Sequence, residues 1–214
     1  VHGPEVGFAR ALHAGGTRNI AIIKVSASIP YVLGKPWPWS KGKKSDSPGH
    51  YGKWLSFVKS RLNELEKKGH RYKIAGFVWH QGNDDGINRE SEKTYSERLK
   101  KLIGDLREEY NCPKAPFILV RSVNSRFATT AAMAPIRAAQ VSVAETDDLS
   151  AWINVDDLPN INTHHFTAKA QLEIGRRLGE KYLMLTCMKD EEIGFVRKHG
   201  IIYFFFFCLL LALS

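Results

Sequence analysis

Residues 73–82 read KIAGFVWHQG: an apolar, partly aromatic run from Lys73 to Trp79 that passes directly into the polar turn His80-Gln81-Gly82. A short apolar run ended by turn residues is the pattern of a strand buried on both faces, as strands of parallel sheets are. Upstream, Leu55, Val58, Leu62 and Leu65 recur at helical spacing, with Lys59, Arg61, Glu64 and Lys67 on the other side, predicting an amphipathic helix that ends near Gly69. Before that helix, Asn19–Val25 (NIAIIKV) predicts another buried strand. Downstream, Tyr95, Leu99, Leu102, Ile103 and Leu106 mark a second amphipathic helix, and Ala115–Arg121 (APFILVR) a third strand. The alanine-rich segment Ala131–Ala144 predicts a helix and Ala151–Val155 a short strand. Thr167–Leu185 predicts a closing helix with Thr167 as N-cap. Regular alternation of this kind predicts an α/β fold with a mainly parallel sheet.

The chain has 214 residues, enough for one domain and a short appendage, with no internal repeat or interdomain linker. Hydrophobic residues are 43% and charged residues 25%, ordinary for a folded soluble domain, which excludes wholesale disorder and a polytopic membrane protein. Three widely spaced cysteines, Cys112, Cys187 and Cys208, exclude a disulfide framework and a Cys-x-x-Cys metal site. The net charge of +9 is concentrated in residues 35–73, with 11 Lys or Arg against 3 Asp or Glu. No RNP, KH or helix-turn-helix pattern accompanies that stretch, so the reading is a solvated face and no nucleic-acid partner.

Both ends are irregular. The chain starts at Val1 with no signal-peptide pattern, and the N-terminus is read as cut. Residues 201–213 (IIYFFFFCLLLAL) are 13 consecutive apolar residues behind Arg197, Lys198 and His199. A spanning helix needs about 17 or more. Two readings stand for this tail, weak membrane association and an aberrant terminus, since the run shows neither helical nor strand periodicity. The predicted division is a domain over 1–186 and a tail over 187–214. Gly34–Gly52 is read as a long surface loop, in which Trp37 and Trp39 form a hydrophobic clasp over the sheet or a sugar-stacking platform.

Ligands of open parallel sheets bind beyond the carboxyl ends of the strands, so the residues after each strand are the candidates for chemistry. Ser26 and Ser28 follow the first strand. His80, Gln81, Gly82, Asn83 and Asp84 follow the second, and Asp156, Asp157, Asn162, His164 and His165 the last. Polar groups with mobile protons at one sheet edge suit acid-base work. No phosphate-binding loop is present: Gly15-Gly16 precedes a strand and not a helix. Asp84-Asp85-Gly86 lacks the alternating oxygen ligands of a calcium loop, so no metal is called for.

The string Gly3-Pro-Glu-Val-Gly-Phe-Ala-Arg, the strand ending Ile22-Ile-Lys24, the segment Ala75-Gly-Phe-Val-Trp-His-Gln-Gly82, and Asp157-Leu-Pro159 with His165-Phe166 resemble the SGNH-hydrolase superfamily. Within it they most resemble the sialate O-acetylesterase branch that includes carbohydrate esterase family 6. The resemblance covers roughly Gly3 to Leu185. It implies a flavodoxin-like three-layer sandwich, a serine esterase acting on acetylated carbohydrates or related small esters, no cofactor, and an exported parent protein. It assigns His165 as the general base and Gln81 as an oxyanion donor, with His80, Gly82 and Asn83 lining the site. Four departures accompany it. The family's nucleophile stands in a Gly-x-Ser segment after a first strand, upstream of Gly3, so the chain is read as truncated before its serine. Asn162 stands where the carboxylate that orients the histidine belongs, Ser28 stands at a family glycine of the oxyanion hole, and Asn83 replaces a glutamate.

Plainer readings sit beside these. His165 could be a partly buried structural histidine, His164 an exposed one, and Gln81 and Asn83 simply turn residues. Two other functions remain open, a non-catalytic carbohydrate-binding relative and a polyanion-binding protein.

Overall fold

Alternating elements do assemble as a layered α/β structure. The computed structural model describes residues 2–25, 50–83, 85–87, 89–123, 130–161, 165–187, 201–206 and 209–213. In chain order these are α1 (Glu5–Ala14), β1 (Ile20–Lys24), α2 (His50–Lys67), β2 (Tyr72–Trp79), a 3-10 turn (Asp85–Ile87), α3 (Arg89–Glu109), β3 (Phe117–Val120), α4 (Thr130–Glu145), β4 (Ser150–Ile153), α5 (Ala168–Cys187), β5 (Ile201–Phe206) and β6 (Leu209–Leu213).

The strands β2, β3 and β4 pair in parallel, with Phe77 opposite Phe117, Trp79 opposite Leu119, Phe117 opposite Ser150 and Val120 opposite Ile153. All four β3 residues are buried, and their twofold alternation sorts them between two cores. Phe117 and Leu119 join Tyr95, Leu99, Ile136 and residues of α2 on one face. Ile118 and Val120 join Phe8, Leu12, Ile174 and Leu178 on the other. The sheet is therefore covered on both sides, which explains why its strands are continuous apolar runs.

The α1–α5 contact is made close by glycine. A Cβ at Gly175 would lie 1.9 Å from the Pro4 carbonyl oxygen, and one at Gly7 would lie 2.0 Å from that of Leu172, so the helices meet backbone to backbone. Gly15 meets Leu183 farther along, so the two helices run parallel. Phe8 and Tyr182 close the pair edge to face, with ring centroids 6.1 Å apart.

Four features depart from the expectations. Helix α1 was not anticipated. Residues 50–52, read as the end of the long loop, are the first turn of α2; the rest of that loop lies outside the described residues. The run 201–213, read as lacking strand character, contributes two strands that fall between β1 and β2. Strand β4 starts one residue before the expected Ala151 and stops at Ile153, where Asn154 Oδ1 accepts from the Asp156 N–H at 3.1 Å, an Asx turn that ends the strand. The N-cap expectation for Thr167 is met: its Oγ1 accepts from the Ala170 N–H at 3.2 Å.

Candidate active site

Parallel pairing puts the segments after β2, β3 and β4 at one sheet edge. After Trp79 the chain turns through residues 80–83, and the Gln81 carbonyl lies at the centre of a buried polar network. It accepts from Gln140 Nε2 at 2.7 Å, Ser122 Oγ at 3.0 Å and the Tyr95 hydroxyl at 3.1 Å. Gln140 Oε1 in turn accepts from the Ser122 N–H at 2.8 Å. Ser122, Gln140 and Tyr95 are wholly buried. Burial pushes the Tyr95 phenol well above its usual range, with the Asp85 charge adding to it, so it stays a hydroxyl donor.

Gly82 makes this arrangement feasible. Its φ is +136°, and a Cβ there would meet Gln140 Nε2 at 2.6 Å and Ser122 Oγ at 2.7 Å. The side chain of Gln81 is held separately. Its Nε2 donates to Asp85 Oδ2 at 2.5 Å, while its Oε1 is buried and accepts no hydrogen bond among the described residues. A carboxylate only accepts, so Asp85 fixes which end of the amide carries the donor. Asn83 Nδ2 ties the turn to β3's extension through the Val123 carbonyl at 2.9 Å.

Burial lowers the His80 imidazole to about 4, leaving it neutral at pH 7. Its ring lies 6.1 Å from that of Phe166, and this contact brings the loop after β2 against the residue next to His165. His165 is itself exposed. Its carbonyl accepts from the Ile161 N–H at 2.6 Å, and an isolated bridge joins Asn160 to Phe166. Asn162, His164, Ser26 and Ser28 lie outside the described residues.

Asp156 and Asp157 are each engaged by arginine. Asp156 receives both Arg121 and Arg137, and Arg137 above all holds its carboxyl below the usual range. Both oxygens of Asp157 meet Arg177 at 2.7 and 2.6 Å, which lowers its carboxyl to about 2. Arg121 also lies over the Trp152 ring, 5.1 Å from its centroid. Two grooves, of about 490 and 690 Å³, run along α4 and beside β4. Arg121 and Arg137 line the first, Trp152 and Met184 the second, and neither is lined by Gln81 or His165. Convergent polar groups, rather than cavity size, therefore mark the candidate site.

Sequence reasoning missed Asp85 as a partner of Gln81, having weighed it only for calcium, and missed Ser122, Tyr95 and Gln140. Signals existed for two of them. Ser122 follows β3, so the rule applied to the other strands reaches it. Gln140 interrupts the helical apolar series Met133, Ile136, Val143 at the spacing of a buried position.

Residues 2–184 match the family described as carbohydrate esterase, sialic acid-specific acetylesterase. A probable carbohydrate esterase of Arabidopsis thaliana is 28% identical over 130 residues, covering 59% of this chain and 46% of the relative. The chain thus spans about half the length of the curated relative it matches. An X-ray structure of that Arabidopsis thaliana protein superposes with a TM-score of 0.54 at 23% identity, over 68% of this chain and 55% of the other, a likeness of fold.

Proposed function

The chain belongs to the sialic acid-specific acetylesterase family of carbohydrate esterases, and from that premise we propose that its domain is the base and oxyanion-donor part of an SGNH-type serine esterase that removes acetyl groups from sugars. The observation that carries this reading is the fixed Gln81 amide, set at the carboxyl edge by Asp85 on one side and by the Ser122–Gln140–Tyr95 network on the other.

In the proposed reaction a serine Oγ attacks the acetyl carbonyl and His165 accepts its proton. The carbonyl oxygen takes up the negative charge, toward which the second Nε2 hydrogen of Gln81 donates; such a donor lowers the barrier by about 3–4 kcal/mol in comparable enzymes. The sugar hydroxyl leaves with the proton from His165. Water then attacks the acetyl-serine with His165 again as base, and acetate departs. We place the serine in a Gly-x-Ser segment outside residues 1–214. Asn162 holds the position of the orienting carboxylate; an amide can hold an imidazole but cannot offset the imidazolium charge, a change that costs about four orders of magnitude in kcat in a serine protease. Ser28 stands at the second oxyanion position.

The test is hydrolysis of p-nitrophenyl acetate and of an acetylated sialic acid. The 214-residue chain should be no faster than its His165→Ala variant. The same chain preceded by a strand carrying Gly-x-Ser should turn over, and lose that turnover with His165→Ala or Gln81→Ala. Robust His165-dependent hydrolysis by the 214-residue chain would place the nucleophile within it and overturn the assignment. Asn162 favours a second reading, a carbohydrate-binding relative without catalysis. Binding of the acetylated sugar with no turnover by the extended chain would select it.

A further inference from the structure

Arg137 touches both halves of the candidate site. It stands on α4 three residues before Gln140, so the two side chains leave neighbouring positions of one helix. Between them they hold the Ser122 backbone by its donor and its acceptor: Gln140 Oε1 accepts from the N–H at 2.8 Å, and Arg137 Nη1 donates to the carbonyl at 2.9 Å. The same Nη1 also donates to Asp156 Oδ1 at 3.0 Å, and Nη2 donates to Asp156 Oδ2 at 2.5 Å. Ser122 Oγ in turn donates to the Gln81 carbonyl at 3.0 Å. One guanidinium and one serine therefore separate Asp156 from Gln81. Arg121 and Arg177 serve the loop after β4 alone: among the described residues their side chains bond Asn154, Asp156, Asp157 and Glu173, and none of Gln81, Ser122 and Gln140.

A guanidinium is a rigid planar fork of donors, so its covalent geometry sets where the Asp156 carboxylate lies relative to the Ser122 carbonyl. An ammonium on a flexible stem would keep a charge beside Asp156 without that fork. The bridge is sheltered at one end: Ser122 is wholly buried, the Arg137 side chain is 20% exposed and that of Asp156 40%. Beyond Asp156 the chain runs through Leu158, whose N–H donates to the Val155 carbonyl at 3.1 Å, to Ile161, whose N–H donates to the His165 carbonyl at 2.6 Å. We propose that Arg137 is a positioning residue that holds the loop bearing His165 in register with the Ser122–Gln81 network. Its part in turnover rests on the esterase reading; the bridge between the loops does not.

Hydrogen exchange on the 214-residue chain reads the bridge without substrate. The Ser122 amide, bonded to Gln140, reports on the network, and the Leu158 and Ile161 amides report on the loop after β4. Arg137→Lys should quicken exchange at all three by about 10-fold, because the ammonium cannot hold both partners at once. Arg121→Lys should quicken Leu158 and Ile161 only. Asp156→Asn, which opens the bridge from its exposed end, should quicken Ser122 by about 3-fold. A Ser122 amide unchanged by Arg137→Lys and Asp156→Asn, or quickened equally by Arg121→Lys, would overturn the bridge. In the chain extended by its Gly-x-Ser strand, Arg137→Lys should lower kcat by about 10-fold with KM unchanged, since the ester still binds while base and donor lose their common geometry. Arg121→Lys should leave kcat within about 2-fold. A loss confined to KM, or equal losses of kcat in the two variants, would overturn the positioning role. An inactive wild-type extended chain would count against the esterase reading, and the exchange pattern would still decide the bridge.

Discussion

The loop after β2 and the loop after β4 reach the same sheet edge by opposite means. The first is fixed by buried, neutral, directional bonds converging on the Gln81 carbonyl, around a glycine that admits no side chain. The second is fixed at its surface by ion pairs, Asp156 with Arg121 and Arg137 and Asp157 with Arg177. Buried polar bonds are costly to break because each leaves an unsatisfied group, whereas exposed pairs are screened and worth little. The first kind of support would suit a donor to a developing charge and the second a base that exchanges protons with water, the roles proposed for Gln81 and His165.

The contrast is open to direct attack. Gly82→Ala should be the most damaging change, with a loss of about 3–5 kcal/mol, because backbone strain at positive φ adds to the displaced Gln140 and Ser122 bonds. A urea-unfolding loss under about 1 kcal/mol would show that the loop is not held as described. Gln140→Leu should cost about 2–3 kcal/mol, since it strands the buried Ser122 N–H and removes one donor to Gln81. The urea midpoint should fall with an unchanged slope.

His80 gives a pH test that separates the loops. Its folded pKa of about 4 lies below the ordinary 6.5, so the unfolded chain binds more protons between these values. Its contribution is therefore complete above pH 6.5 and is lost as pH falls towards 4, by about 1–2 kcal/mol after allowance for the ring's partial exposure. His80→Asn should flatten the stability profile in that window. The lowered carboxyls of Asp156 and Asp157 have the opposite reference: their stabilisation is present above the ordinary carboxylate range and disappears only as pH falls through the lower folded values. A profile that is flat from 6.5 to 4 would remove His80 from the buried loop. The smallest effect is expected at Asp156→Asn, about 0.5–1 kcal/mol at low salt and nothing measurable near ~1 M salt. A loss that persists in salt would mean that the second loop is no weaker than the first.

Apolar stripes at helical spacing made α2 and α3 legible, alanine content α4, an N-cap threonine α5, and apolar runs β1 to β4. Helix α1 escaped because its inward surface is partly glycine: Gly7 packs on α5 without adding a hydrophobic position to the count. Strand β5 escaped for a different reason. Its apolar run continues through 13 residues without the turn residues that bound the runs of β2 and β3. At the site, His165 and Gln81 came from motif resemblance, which supplies the chemistry but not the supports. Asp85, Tyr95 and Gln140 act through contacts between positions far apart in the chain or on neighbouring turns, and only the folded chain brings Gln140 to Gln81 across 59 positions.

The backbone contact between α1 and α5 joins the first and the last helix among the described residues. During synthesis the surface around Phe8 and Leu12 has no α5 to cover it until Gly175 has been made. At about 5–20 residues per second, that wait across the intervening chain is roughly 10–30 s. The glycines that allow closest approach in the finished protein thus leave a nascent one with a bare apolar stripe for that interval, when a chaperone has the longest opportunity to hold it.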